Sequence, residues 1–154
     1  MSAARRTPGA AGRTPGQEGR RAGRTQAVFL LYQHDVTGLD LEELVRNAER
    51  ERGKTIDDFT RALIDGVTVD QGAIDTLISA AADGWTTDRI APLERNIIRV
   101  AVHELLDWPE IPQAVSINEA VELTKLYCAT EAPSFVNGVL GRIIRDLPAA
   151  ELSA

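Results

Sequence analysis

Apolar residues recur with a helical period from about residue 18 to residue 147, and they are densest over Leu93–Trp108. There Leu93, Ile97, Ile98, Val100, Ala101, Val102, Leu105, Leu106 and Trp108 occupy most of a helical circumference. Arg95, Arg99, His103 and Asp107 fall every fourth residue and so share one narrow stripe. A helix apolar on most sides is one that several neighbours pack against. Pro92 suits a helix start and Pro109 stops the helix. The stretch is therefore expected to be a buried hub, with its polar stripe left to solvent or a ligand.

The flanking segments predict further helices. Ala27 to Tyr32 is an apolar block behind Arg20, Arg21 and Arg24, in a helix expected over residues 18–36 and ended by Gly38. Cations suit a helix N-terminus badly, because that end is already positive, so these arginines must serve something other than helix stability. Leu41, Leu44, Val45 and Ala48 mark a second helix, broken by Gly53. Thr55 to Asp58 looks like a capping box opening a helix through Ile56, Phe59, Leu63, Ile64 and Val67. Ile74, Leu77, Ile78 and Ala81 predict a separate helix that stops at Gly84, and Trp85 to Ile90 links it to the hub. Ser116 to Glu119 reads as a second capping box, opening a helix to Tyr127. Phe135 to Leu147 makes the last helix, with Pro133 in the loop or first turn before it. No alternating run suggests a strand, and no repeat of fixed period is visible, so the fold class is all-α.

Composition divides the chain. Residues 1–17 are rich in Gly, Ala, Pro, Thr and Arg, and are expected to be a disordered basic arm before a helical domain over 18–148 and a tail over 149–154. The 154 residues carry a net charge of −6, distributed as +5 over residues 1–24 and −11 over the rest. A basic arm on an acidic body suits an anionic partner such as nucleic acid, although basic termini also serve solubility alone. Cys128 is the single cysteine, so no internal disulfide forms, and a small buried thiol is favoured over a reactive one. No apolar run reaches the length of a membrane span and no signal-peptide core is present, which points to the cytoplasm.

Catalytic and metal signatures are missing. His34 and His103 are far apart, and neither HExxH nor CxxC spacing occurs, so no metal is expected. Neither phosphate-cradling glycine loops nor a nucleophile elbow is present, so no cofactor and no enzyme activity are expected. Glu94, Glu104, Glu119 and Glu122 offer carboxylates, but acids on helix faces are common. The chemistry left is binding. Arg20, Arg21 and Arg24 can pair with phosphates. Arg95 and Arg99 lie one turn apart, where a salt bridge to a neighbouring helix is favoured over a ligand contact. Tyr127, at a helix end, can stack on a base, though by itself it reads better as core.

Four phrases, RRAGRTQAVFLLYQ, WTTDRIAPLERNIIRVAVHELL, IPQAVSINEAVELTKLY and FVNGVL, resemble in order and spacing the bacterial NusB antitermination-factor family over about residues 20–146. The resemblance implies two perpendicular three-helix bundles. It also implies pairing with the ribosomal protein NusE, binding of single-stranded BoxA RNA in ribosomal RNA leaders, and assembly into an RNA polymerase antitermination complex. The resemblance leaves a homodimer open as a further partner, since family members differ in that respect. Carried over by position, Arg20, Arg21, Arg24, Tyr127 and Glu131 fall on RNA contacts, and Tyr32 and Glu94 on the NusE face. Arg99 matches the family arginine of the hub helix and is grouped with the partner positions. Ala22 and Gly23 interrupt the basic run, Cys128 replaces the usual Gly, and Glu131 replaces the usual Asp. Two other readings remain: a substrate-positioning subunit for a ribosomal RNA-modifying enzyme, since related domains precede cytosine methyltransferases, and a helical protein–protein adaptor.

Overall fold

A computed structural model describes residues 16–147. The expected arm and tail lie outside that range, apart from Gly16 and Gln17. Six helices follow in order: α1 (Gln17–Thr37), α2 (Leu41–Arg52), α3 (Asp58–Ala81), α4 (Pro92–Asp107), α5 (Gln113–Tyr127) and α6 (Ala132–Asp146), with a short 3-10 turn at Thr87–Arg89. No strand occurs among the described residues, and the fold is all-α. The first three helices and the last three make the two three-helix bundles, and α4 joins them by packing on α1, α3, α5 and α6.

The hub expectation holds for the apolar residues. Ile97, Ile98, Val100, Ala101, Val102 and Leu105 of α4 are buried, and each large side chain among them contributes roughly 1.5–3 kcal/mol relative to exposure. Trp108 closes the helix and meets the Phe59 ring of α3 edge-on, 5.1 Å between centroids. Gly38 and Gly53 end α1 and α2 in the left-handed region, at φ 74° and 72°. Asp40 caps α2 through the backbone N–H of Glu43 at 3.1 Å.

Three local expectations are corrected. The helices expected over 55–67 and 74–81 are one helix, α3. Phe59, Leu63, Val67, Ile74, Ile78 and Ala81 stay on one buried face across Gly72, and that continuous face outweighs the roughly 1 kcal/mol a glycine costs within a helix. Its start at Asp57 has no side-chain cap, so Thr55 opens no capping box. The second capping box is also absent. Helix α5 begins behind Pro112, whose carbonyl accepts the Val115 and Ser116 N–H groups, so Ser116 and Glu119 lie inside the helix and are buried.

The stripe on α4 is interior rather than open. Arg99, His103 and Asp107 are buried and Arg95 nearly so, because α1 and α3 bring acids against them. Gly66 of α3 permits this closeness, since a Cβ there would lie 2.1 Å from the His103 ring.

Candidate nucleic-acid interface

The arginines expected at the surface are built into a ladder of alternating charge between α1, α4 and α5. Arg24 donates through Nε and Nη2 to the Glu104 carboxylate at 2.6 and 2.9 Å, and Ser116 Oγ donates to the same carboxylate at 2.8 Å. The Arg24 and Glu104 side chains are only 3% and 1% exposed. Arg24 therefore offers no cation to solvent, which corrects its place among the phosphate contacts. Its guanidinium also lies 5.7 Å from the centre of the Phe59 ring. Gly23, one of the two residues interrupting the basic run, lets α1 approach α3, since a Cβ there would meet Phe59 at 2.9 Å.

Arg21 occupies the outer rung. Its Nε and Nη2 donate to Glu119 at 2.9 and 2.8 Å, with Arg21 60% exposed and Glu119 5%. This hydrogen bonding raises the Arg21 pKa and, with the guanidinium charge, lowers that of Glu119. Arg20, beside it, is half-buried. Arg21 and Arg24 thus tie the start of α1 to α5 and α4, which accounts for the unfavourable dipole placement of these two.

Eight residues further along both helices, Tyr127 of α5 meets Phe29 of α1 edge-on at 5.0 Å. The pairs Arg21–Glu119 and Phe29–Tyr127 have the same spacing, so long side chains link α1 and α5 in the same sense along this face, about 12 Å between rungs. Tyr32 extends the aromatic group, its ring 6.3 Å from Phe29. Tyr127 is half exposed, which corrects the reading of it as core. Leu126 beside it is exposed as well.

Past the aromatics lies a largely apolar groove of about 430 Å³, lined by Trp85, Ile90 and Phe135, with Glu94, Glu131 and Arg89 as its charged residues. Burial raises the Glu94 pKa, and the Glu131 charge adds to the effect. Burial pushes the Cys128 thiol up to about 11, with a further contribution from Glu94. These shifts place Glu94, Cys128 and Glu131 within one electrostatic neighbourhood at the junction of α4, α5 and α6.

Arg99 is not a surface contact. It donates to both oxygens of Asp75 at 2.8 and 2.9 Å and to Asp35 at 3.3 Å, while Arg95 binds both oxygens of Asp35 at 2.7 and 2.9 Å. The salt-bridge reading of this pair holds, and Arg99 is corrected from partner contact to interior clamp between α4, α1 and α3. Further along the stripe, Asp70, His103 and Asp107 bring ligand-type atoms within 4.8 Å of one another. Trp108 Nε1 donates to His103 Nε2 at 3.3 Å, which puts the imidazole proton on Nδ1, 3.2 Å from Asp107. A metal on Nδ1 would need the far nitrogen to donate, yet that nitrogen faces a donor. The trio is thus ill suited to a metal bound through Nδ1.

Residues 21–145 match the family model described as the NusB family. The chain belongs to the NusB family. It is 40% identical over 117 residues to the transcription antitermination protein NusB of Rubrobacter xylanophilus, covering 76% of this chain and 84% of that one. With the NusB of Oceanobacillus iheyensis the identity is 43% over 122 residues, covering 79% and 94%. Among solved structures, Thermotoga maritima NusB superposes with a TM-score of 0.76 at 32% identity, covering 90% of this chain and 97% of that one. A NusB chain from a crystal structure of NusB and NusE with double-stranded RNA has the same TM-score at 27% identity, covering 86% and 100%.

Of the positions carried over from the NusB family, Arg21, Tyr127, Tyr32, Glu94 and Glu131 lie along one face from α1 to α6, whereas Arg24 and Arg99 are interior. Phe29, Glu119 and Trp85 were not singled out as binding residues from the sequence. Phe29 was legible only as one of an apolar block, and half-exposed Trp85 only as a linker. Glu119 stands out in the sequence only as one of several helix-face acids, and nothing local marks it as the partner of an arginine 98 residues away.

Proposed function

We propose that this protein is a non-catalytic transcription antitermination factor acting in the cytoplasm. With a NusE-type ribosomal protein it binds single-stranded BoxA RNA of ribosomal RNA leaders and promotes antitermination by RNA polymerase. Family membership supports the reading, as do relatives named for antitermination and the similarity to a NusB chain crystallised with NusE and RNA. The observation that carries it is the graded face: Arg21 at one end, the Phe29–Tyr127–Tyr32 aromatics in the middle, and Glu94 with Glu131 at the other. Cations attract phosphate, an open aromatic ring stacks on an unpaired base, and an apolar groove carrying two carboxylates suits a partner that offers apolar and basic side chains.

The two halves of the face are separable. Tyr127→Ala should weaken RNA binding by about 1–3 kcal/mol while leaving partner capture intact. Glu94→Lys should impair partner capture first. Loss of both functions in each variant, or of neither, would remove the assignment of the two ends.

A further inference from the structure

We propose that Glu119 is a positioning residue for RNA, fixing the Arg21 guanidinium so that its free edge is held ready for a backbone phosphate. The inference rests on the RNA-binding reading above and adds a residue to it. Glu119 takes the Nε and one Nη2 hydrogen of Arg21, a side-on fork at 2.9 and 2.8 Å. The remaining N–H groups, on Nη1 and Nη2, belong to a side chain that is 60% exposed. The exposed cation is therefore anchored by a carboxylate that is itself only 5% exposed.

That carboxylate is held from the inner side as well. Arg24 Nη1 lies 3.9 Å from Glu119 Oε1 and is a buried donor with no hydrogen bond of its own. Arg24 in turn is locked by Glu104. Glu104, Arg24, Glu119 and Arg21 form an alternating sequence of charges leading from the core to the surface, and each member limits the orientation of the next. A guanidinium is planar and binds phosphate through two parallel N–H bonds, so fixing its plane in advance removes ordering cost from binding. A lysine at the same place would keep the charge and lose the fork. Glu119 also cancels much of the Arg21 charge at a distance, so the contact is directional rather than a general attraction for polyanions.

The test is a double-mutant cycle on the full chain, read as affinity for a labelled single-stranded BoxA RNA in the presence of the NusE-type partner. Arg21→Ala should weaken binding about tenfold, the loss of one charge-assisted contact. Glu119→Gln should weaken it several-fold when Arg21 is present and should not weaken it in the Arg21→Ala background. Arg21→Lys, a surface change that leaves the fold intact, should bind nearly as weakly as Arg21→Ala while keeping the wild-type salt slope. Wild-type affinity in Arg21→Lys, tighter binding in Glu119→Gln, or equal weakening by Glu119→Gln with and without Arg21 would overturn the proposal. Absence of RNA binding by the wild-type complex would overturn the RNA reading itself, and this inference with it.

Discussion

Arg24 of α1 and Glu104 of α4 form a two-bonded ion pair inside the protein, at 2.6 and 2.9 Å, with both side chains almost wholly buried. The pair joins the first helix to the hub at the point where a solvent-facing cation was expected. Removing one member leaves the other charged and without water. Arg24→Ala should therefore cost about 3–5 kcal/mol in urea unfolding, and Arg24→Met with Glu104→Leu should cost less than that single change. A loss below about 1 kcal/mol in the single variant would mean the pair does not hold α1 in place.

The same burial changes the salt dependence expected of RNA binding. Three phosphate contacts would give a slope of about −2, but Arg24 contributes none, which leaves about −1.4 from Arg20 and Arg21 among the clustered arginines. Alanine at Arg20 should reduce the steepness by about 0.7. A conservative change at Arg24 that preserves folding, such as Arg24→Met with Glu104→Leu, should leave the slope where it was. A slope that falls with the Arg24 change would return that residue to the phosphate contacts.

Acid should loosen the protein through Asp35 and Glu119. Hydrogen bonds from Arg95 hold the Asp35 carboxyl below its ordinary value, and those from Arg21 do the same for Glu119. A carboxylate lowered in the folded state adds stability that is complete above its unfolded pKa of about 4. That stability disappears as pH falls through the lower, folded value. Melting temperature followed from pH 7 to pH 3 should drop at the acid end, and Asp35→Asn should flatten the drop while lowering the neutral plateau. A variant curve parallel to the wild type would exclude Asp35 as a source of the acid sensitivity.

With its pKa near 11, the Cys128 thiol is almost wholly protonated at pH 8. Alkylation by iodoacetamide at that pH should be slower than in the unfolded chain by on the order of a hundredfold. Because the Glu94 charge contributes to the shift, Glu94→Gln should speed the reaction. Equal rates in the folded and unfolded protein would contradict this environment for Cys128.

How far the sequence could be read depended on whether a feature was local. The hub was legible because Pro92 and Pro109 bound a stretch whose apolar residues encircle the helix, and Gly38 and Gly53 marked two helix ends correctly. The helices expected to either side of residues 68–73 are one, because the unbroken phase from Phe59 to Ala81 keeps a single buried face. Ser116 and Glu119 match a cap in spacing, yet their partners are Glu104 and Arg21 on other helices. The polar stripe of α4 looked open because the acids that cover it, Asp35 and Asp75, lie 64 and 24 residues from Arg99 in sequence. Tyr127 ends one recognisable phrase and Glu131 lies just before another, FVNGVL, but only folding brings them beside Phe29 and Glu94.

The measurement that tests the account most directly is a mobility-shift titration of BoxA RNA and a scrambled control, each with and without a purified NusE-type partner. Tight binding that prefers BoxA and needs both proteins is the predicted result. Equal binding of both RNAs, or no binding with the partner present, would contradict it and leave a NusB-family fold that serves as an electrostatic or protein–protein adaptor.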